Sequence, residues 1–332
     1  MTGAGHDGPG KDQMDAPDPG MTFVNEDTYL YNDVWNDQQY FDGRPVVELS
    51  ESVNVSDPAG VAWLLYGRAG SDAGSDATTF EEELTALLDT VGEERVESIV
   101  CAGDGVDAEG LVANAHRLPR LRSVFLGSIS LEGYEISWIR QTDVTPLLEA
   151  FPRLERLDLR GSDGLALRPV RHEHLRVLRF ECGGLPGAVV RGVGACDLPA
   201  LEHLELWLGV EDYGGDATVA DLEPILSGDR LPALRRLGLR DSPAQDEIAA
   251  AVAAAPVVAR LEELSLAMGE LTDAGAESLL TGQPLTHLRR LDLHHHYLGE
   301  PVMERIAAAL PDVDVDLSDR QPLNERYVAV SE

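Results

Sequence analysis

The sequence predicts an α/β solenoid in which short parallel strands line a concave face and helices form the convex face. Three observations predict it. An apolar motif recurs along most of the chain, each copy alternates in polarity as a strand does, and helix-start signals lie between copies. A unit of this size cannot bury its own apolar face, so successive units must stack to form a shared core.

The N-terminal 45 residues divide into two segments. Residues 1–20 are rich in Gly, Asp and Pro, which predicts a disordered tail. Residues 21–45 carry aromatic side chains among acids and amides. This second segment could dock on the folded body or stay loose until a partner arrives. It could also lie in the partner's groove and inhibit the protein.

Residues 46–95 are predicted to form an atypical N-terminal cap. Residues 46–49 and 61–66 read as short strands. Thr79 and Glu82 have the spacing of a capping box, and a helical apolar stripe follows them. The repeat domain, cap included, is therefore expected to span residues 46–318.

The repeat itself is the pattern L-x-x-L-x-L. Clear copies begin at Leu121, Leu154, Leu175, Leu201, Leu234, Leu261 and Leu288. Val96 begins an earlier, degenerate copy, and Val315 belongs to a terminal strand of uncertain register. Thr272 and Pro301 stand where helices between strands should begin. Residues 319–332 remain as an exposed C-terminal tail.

One turn position departs from the usual pattern of leucine-rich repeats. The site three residues after the last strand leucine often holds Asn or Cys in such repeats. Here it holds Ile129, Ser162, Gly183, Gly209, Ser242, Gly269 and His296. We therefore expect other groups to satisfy these turns, and a ring nitrogen of His296 to cap turn amides.

Composition narrows the function. The 332 residues include 59 acidic and 26 basic ones, giving a formal net charge of −33. Nucleic-acid binding depends on Lys and Arg neutralising phosphates, so this charge disfavours a nucleic acid or an anionic membrane as partner. Three cysteines without a CxxC pair favour reduced, buried thiols in a cytoplasmic protein. The apolar run at residues 249–259 is too short to span a bilayer.

Several strings resemble a known group of proteins. They are residues 135–139 (EISWI), 204–209 (LELWLG), 213–216 (YGGD) and 291–296 (LDLHHH), together with the helical unit at 271–276. Over about residues 45–318 the chain resembles an uncharacterised bacterial family of leucine-rich-repeat proteins with ribonuclease-inhibitor-like repeats. The resemblance implies a horseshoe-shaped solenoid without an established activity or partner. It also implies genes set near radical-SAM and ATP-grasp-like enzymes.

The side chains between the repeat leucines should line the concave face. The candidate partner-binding residues are Phe125, Arg156, Arg160, Arg179, His203, Trp207, Arg236, Arg240, Arg290 and His294. An exposed Trp207 and Phe125, with arginines around them, predict a groove for a protein or peptide partner with acidic side chains. The alternative is a ladder of cross-strand ion pairs that only keeps the face soluble. Tyr213 and Asp216 are predicted to form a protruding contact loop.

The sequence thus favours a non-catalytic interaction scaffold without a cofactor, and no catalytic motif is recognisable in it. One alternative is a substrate or accessory protein of nearby modifying enzymes, with the exposed termini as targets. A second is a metal-binding protein that uses residues 294–296, because imidazole is a common metal ligand. The identity of the partner and the oligomeric state stay open.

Overall fold

The structure is a computed structural model, and it describes residues 40–66, 79–102, 108–128 and 136–331. The predicted disordered tail and most of the aromatic segment lie outside the described residues. Ile129, one of the turn positions, lies outside them as well.

The described strands form one open sheet whose strand order follows the sequence. The strands are β1 (Tyr40–Phe41), β2 (Arg44–Glu48), β3 (Ala62–Tyr66), β4 (Ser98–Ala102), β5 (Ser123–Ser128), β6 (Arg156–Arg160), β7 (Val177–Glu181), β8 (His203–Trp207), β9 (Arg236–Arg240), β10 (Glu263–Ser265), β11 (Arg290–Asp292) and β12 (Asp314–Asp316). The first pair, β1 with β2, is antiparallel, and every later neighbouring pair is parallel.

Strand register confirms the predicted repeat. One row of paired positions crosses the sheet through Ile99, Val124, Leu157, Leu178, Leu204, Leu237, Leu264, Leu291 and Val315. The degenerate copy that begins at Val96 and the terminal strand both fall in this row. Each repeat therefore places its core residue directly beside the same residue of its neighbour.

Helices connect most of the neighbouring parallel strands, although the connection between β6 and β7 contains none. The described α-helices are α1 (Phe80–Val91), α2 (Ala108–Ala113), α3 (Thr145–Ala150), α4 (Gly187–Ala195), α5 (Val219–Ser227), α6 (Gln245–Ala253), α7 (Asp273–Thr281) and α8 (Glu300–Ala309). The predicted capping box is present, because Glu82 N donates to the Thr79 hydroxyl and Thr79 N donates to the Glu82 carboxylate. Thr272 caps α7, and Pro301 lies in the first turn of α8, as predicted.

A continuous apolar core lies between the sheet and the helices. This core includes Leu157 and Leu159 of β6, Leu147 of α3 and Val193 of α4, and each of these side chains is 0% exposed. Burial of an aliphatic side chain of this size stabilises the fold by roughly 1.5–3 kcal/mol. All three cysteines are free thiols in the interior, as expected.

Several different groups satisfy the backbone hydrogen bonds of the turns after the strands. This agrees with the prediction from the absence of Asn at the turn position of the repeats. Gln141 Nε2 donates to a carbonyl at the end of β6 at 2.8 Å, and Gln245 Nε2 donates to a carbonyl of β9 at 2.9 Å. The predicted cap at His296 is confirmed, because its Nδ1 accepts from Leu298 N at 3.0 Å. Gly209 has a left-handed φ of +63°, and an added Cβ would lie 1.9 Å from a carbonyl oxygen of the preceding repeat.

The described part of the C-terminal tail, residues 319–331, returns along this same edge of the sheet, and residues 328–330 dock there. Ala329 N donates to the Met268 carbonyl at 2.7 Å, and Val330 N donates to the Asp241 carboxylate at 2.9 Å. The tail therefore runs back from the last repeat over the turns that follow β10 and β9. Residues 322–327 of the tail are exposed, as expected, whereas residues 328–330 are buried or half-buried because these turns present carbonyl and carboxylate acceptors to their backbone amides.

These features make the protein an α/β leucine-rich-repeat solenoid with an open sheet, as the sequence predicts. Within the described part of the chain, none of the helices has the length and apolar character needed to cross a membrane.

Candidate functional site on the concave face

The face of the sheet opposite the core, here called the concave face, carries the side chains that alternate with the repeat leucines. Strand register brings the predicted site residues together in neighbouring rows. One row contains Arg156, Val177, His203, Arg236, Glu263 and Arg290, and the next contains Phe125, Asp158, Arg179, Glu205, Gly238, Ser265 and Asp292. Trp207 pairs with Arg240 two residues further along the strands, and His294 follows β11.

The prediction that Trp207 and Phe125 are exposed is wrong. Trp207 is 0% exposed and Phe125 is 2% exposed. Trp207 packs with the main core, and its Nε1 donates to Glu205 Oε1 at 2.9 Å. Phe125 belongs to a separate, small apolar cluster that also includes Val100 and Phe41. Neither ring is open binding surface, because other parts of the chain cover both.

Arginines on the concave face pair with carboxylates of the same chain. Arg156 lies 2.7 Å from Asp158, and Arg179 lies 3.1 Å from Glu205. Arg179 is also 3.5 Å from Asp158, which joins the two pairs. All four side chains are at most 8% exposed. Water screens such pairs far less than surface ion pairs, so breaking one leaves a costly unpaired charge.

The network continues across the sheet. Arg240 lies 3.7 Å from Glu205 and 2.8 Å from Asp292, while Arg160 lies 2.8 Å from Glu181. Its charged members are Arg156, Arg160, Arg179, Arg240, Asp158, Glu181, Glu205 and Asp292. Four positive and four negative charges balance. The alternative prediction of cross-strand ion pairs describes these contacts, although the pairs are buried rather than exposed.

Protonation states follow from this burial. Desolvation alone would raise the pKa of Glu205, but the guanidinium groups of Arg240 and Arg179 outweigh it and hold the pKa well below its ordinary value. Desolvation lowers the pKa of His203 to about 4, against an opposing hydrogen bond with Glu205. At neutral pH the network therefore has an ionised Glu205 beside a neutral His203.

Three predicted site residues in the C-terminal half remain partly exposed. They are Arg236, Arg290 and His294, and Arg160 in β6 has the same intermediate exposure. Arg290 donates to Asp314 at 2.7 Å and to Asp316 at 2.9 Å. These four residues are the part of the predicted set that a partner can reach on the concave face.

The three consecutive histidines do not converge on one point. His294 Nδ1 lies 2.8 Å from Asp292 Oδ1 on the concave face. His295 has a left-handed φ of 53°, and its Nε2 lies 3.1 Å from the Tyr327 carbonyl of the tail. His296 Nε2 lies 3.0 Å from a backbone carbonyl after β12. The predicted metal cluster at residues 294–296 is therefore wrong, because the left-handed residue turns the ring of His295 away from that of His294.

Another group of potential ligands lies nearby. Asp292, His294 and Asp316 present ligand-type atoms within 4.8 Å of one another. The Asp292 carboxylate already accepts hydrogen bonds from Arg240 and from the Ser265 hydroxyl, and the Asp316 carboxylate accepts one from Arg290. Guanidinium groups on both carboxylates favour an ion-pair cluster over a cation site.

The predicted contact loop follows β8. Tyr213 ends a short 3-10 helix and is half-buried, while Asp216 is exposed. An Asp216 carboxylate oxygen accepts from Gly187 N at 2.6 Å, at the start of α4 in the preceding repeat. Asp216 thus stabilises a helix N terminus, which gives this loop a structural role beside the predicted contact role.

Part of the aromatic segment covers the start of the concave face, a position that the sequence left open as one alternative. The Phe41 ring lies 5.7 Å from the Phe125 ring, and the Arg156 guanidinium lies 4.9 Å from the Phe41 centroid. The Ser123 hydroxyl donates to the Asp42 carboxylate, and Arg156 lies 3.9 Å from that carboxylate. The aromatic and acidic character of residues 21–45 was the available signal, and it placed Phe41 among docking candidates.

Among solved structures, the chain is similar to proteins from two organisms. A crystal structure of a Bacteroides fragilis protein matches at 29% identity with a TM-score of 0.72, over 80% of this chain and 77% of that chain. An internalin from Listeria monocytogenes matches at 14% identity with a TM-score of 0.33 over the same shares, which is a weak likeness. No protein-family model matches the sequence, and no curated protein matches it.

Proposed function

We propose that this protein is a non-catalytic interaction scaffold that binds a protein or peptide segment on its concave face. The observation that carries the proposal is the seating of Phe41 and Asp42, whose ring and carboxylate both have partners there. A surface that holds an aromatic, acidic segment of its own chain has the chemistry to hold one from another chain. Solenoids present such extended surfaces for binding.

The buried ion network supports this role by making the surface rigid. Arg179, Glu205 and Arg240 hold one another in place, so a partner would not have to order them on binding. The arginines that reach solvent are Arg160, at the edge of the network, and Arg236 and Arg290 beside it. Their positive charge favours a partner with acidic side chains.

The proposal includes a cytoplasmic location and a place in the uncharacterised bacterial family that the sequence resembles. Free, buried cysteines support the location, because such thiols are typical of a reducing compartment. The net charge of −33 supports a protein partner over a nucleic acid or an anionic membrane.

The test replaces reachable cations and leaves the core intact. We expect Arg236→Ala with Arg290→Ala to abolish capture of specific partners from the native cell, measured by affinity purification and mass spectrometry. The matched control is Arg191→Ala with Arg305→Ala, which removes two exposed arginines from α4 and α8. Circular dichroism should be unchanged in both proteins. Identical partner profiles for the two double variants would refute the proposal.

Trp207 is unsuitable for this test. It is 0% exposed and hydrogen-bonded to Glu205, so its replacement would open a cavity in the fold. Loss of partner capture by a Trp207 variant would then reflect damage to the fold rather than removal of a binding contact.

A further inference from the structure

We infer that residues 40–43, the tip of the hairpin formed by β1 and β2, occupy the partner's place on the concave face, and that the partner presents the same aromatic and carboxylate pair. This inference rests on the proposed function and names both the chemistry of the partner and the element that competes with it. The tip would act as a tethered, internal ligand that a partner segment displaces, while β2 stays paired with β3.

The sequence at the turn of the hairpin favours its formation. Tyr40 pairs with Pro45 and Phe41 with Arg44, which leaves Asp42 and Gly43 as a two-residue loop. Both loop residues have positive φ, 52° for Asp42 and 70° for Gly43. Asp-Gly is a favoured sequence for a type I′ turn, which requires this conformation at both positions. The loop sequence therefore favours this turn locally, while β2 is also held by its pairing with β3.

The tip of the hairpin reaches over the sheet rather than extending its edge. β2 pairs in parallel with β3, yet Phe41 contacts Phe125 of β5 and Arg156 of β6. Arg44 at the base of the turn lies 3.2 Å from Glu97, which precedes β4. The tip thus crosses three strands of the concave face and ends at the first arginine of the ion network.

The surface beneath the tip is an aromatic slot, formed by Ala62, Val100, Phe125, Arg156 and Arg160. The Phe41 ring lies against the Phe125 ring, and the Arg156 and Arg160 guanidinium groups lie 4.9 Å and 5.2 Å from the centroids of Phe41 and Phe125. Arginine stacked on an aromatic ring is a specific, electrostatically favourable contact. The slot therefore selects an aromatic side chain over an aliphatic one of similar size.

The carboxylate next to the ring is held as well. The Asp42 carboxylate accepts from the Ser123 hydroxyl and from Arg44 at 2.8 Å, and it lies 3.9 Å from Arg156. A ligand from outside the hairpin would keep the contacts to Ser123 and Arg156 and lose only the one to Arg44. The chemistry recognised is thus an aromatic residue followed by an acidic one.

The attachment of the tip is of a kind that another segment can replace. β1 is two residues long, and it makes the one antiparallel pairing of the described sheet. Removing it disturbs none of the parallel repeat contacts. A tethered ligand acts at an effective concentration on the order of millimolar, so it blocks weak ligands and yields to a tight partner.

The test uses the full chain and a peptide probe. The probe is a fluorescein-labelled peptide with the sequence of residues 40–47, YFDGRPVV. The variant Phe41→Ala with Asp42→Asn empties the slot. We expect this variant to bind the probe at least tenfold more tightly than the wild-type chain does, by fluorescence anisotropy. A probe with Ala in place of its Phe, or the variant with a further Arg156→Ala change, should lose that binding.

Tyr40→Ala is the matched control, because Tyr40 neighbours Phe41 but is 37% exposed. It should leave the slot blocked as in the wild type. Asp42→Asn alone keeps the Phe41 ring and the turn, and it should raise probe affinity by a smaller factor. This single variant replaces the double variant in the test if the double variant loses its circular dichroism signal. Equal probe affinity for the wild type and the slot variants would overturn the inference. Probe affinity that is unchanged by Arg156→Ala would overturn it as well.

The peptide result and the scaffold test can fail separately. One outcome is that partner capture depends on Arg236 while probe affinity is the same in the wild type and the Phe41→Ala/Asp42→Asn variant. That result would support the scaffold proposal and overturn the inference of an internal ligand. Hairpin-dependent probe binding without any Arg236-dependent partner would support the slot and overturn the proposed function.

Discussion

Replacing Arg240 by methionine tests whether the ion network stabilises the centre of the solenoid. Arg240 lies 2.8 Å from Asp292 and 3.7 Å from Glu205, and all three side chains are at most 2% exposed. Removing one partner of a buried pair costs about 3–5 kcal/mol, because the remaining charge stays buried without its counter-charge. We expect Arg240→Met to lower the free energy of unfolding by about this amount.

Urea unfolding followed by circular dichroism and by fluorescence measures the loss. Agreement between the two signals shows that the repeats still unfold together. Arg240→Met with Asp292→Asn should recover at least about 1 kcal/mol, since the amide leaves no buried charge. Arg191→Met, which removes an exposed partner of Asp221, should cost about 0–1 kcal/mol. A loss for Arg240→Met no larger than that of Arg191→Met would refute the reasoning.

The same substitution should change the response to acid. Burial would raise the pKa of Asp292, but the hydrogen bond with His294 and the charge of Arg240 lower it to about 2 from an ordinary 3.8. A folded-state pKa below the unfolded one stabilises the protein above about pH 4, and this stability is lost as the pH falls towards 2. The stability gap between wild type and Arg240→Met should therefore narrow over that range. A constant gap would contradict the assignment.

Three further outcomes follow from the geometry. The cysteine thiols should resist alkylation in the native protein and react on unfolding, because all three are buried and desolvation raises the pKa of Cys182 to about 12; label counting by mass spectrometry checks this, and a labelled native chain contradicts it. Gly209→Ala should lower the free energy of unfolding by more than about 1 kcal/mol, because the added Cβ would collide with a backbone carbonyl. Gly43→Ala is the control, because its Cβ meets no atom within 4 Å and its cost comes from the positive φ alone. Equal urea midpoints for the two variants would contradict the role of the collision. Deleting residues 326–332 should lower the melting temperature by about 2–4 °C, and an unchanged melt would mean that the docked tail adds no stability.

Local periodicity was sufficient to predict the repeat and its register. Leu157, Leu178 and Leu204 pair in one row, as their motif positions predict. Even the degenerate copy and the terminal strand at Val315 follow the row. The reason is that strand alternation and stacking of identical units are both set by residues close in sequence.

Exposure on the concave face was not predictable in the same way. Alternation places Phe125 on this face, but it says nothing about Phe41, which arrives from another part of the chain and covers it. The alternation likewise does not predict the burial of Trp207, whose side chain is 0% exposed. Solvent exposure depends on all neighbouring elements, whereas alternation describes one strand.

The sequence by itself determined the strands, the stacking and the set of side chains that share the concave face. Only the tertiary structure decided which of them are covered, which are paired and where residues 40–43 and 328–330 dock. Arg240 reaches Asp292, a residue 52 positions away, and Ala329 reaches Met268 across the sheet edge. The physical reason is distance in sequence: a periodic pattern is local, while ion pairing, covering and docking depend on elements that meet only after the repeats have stacked.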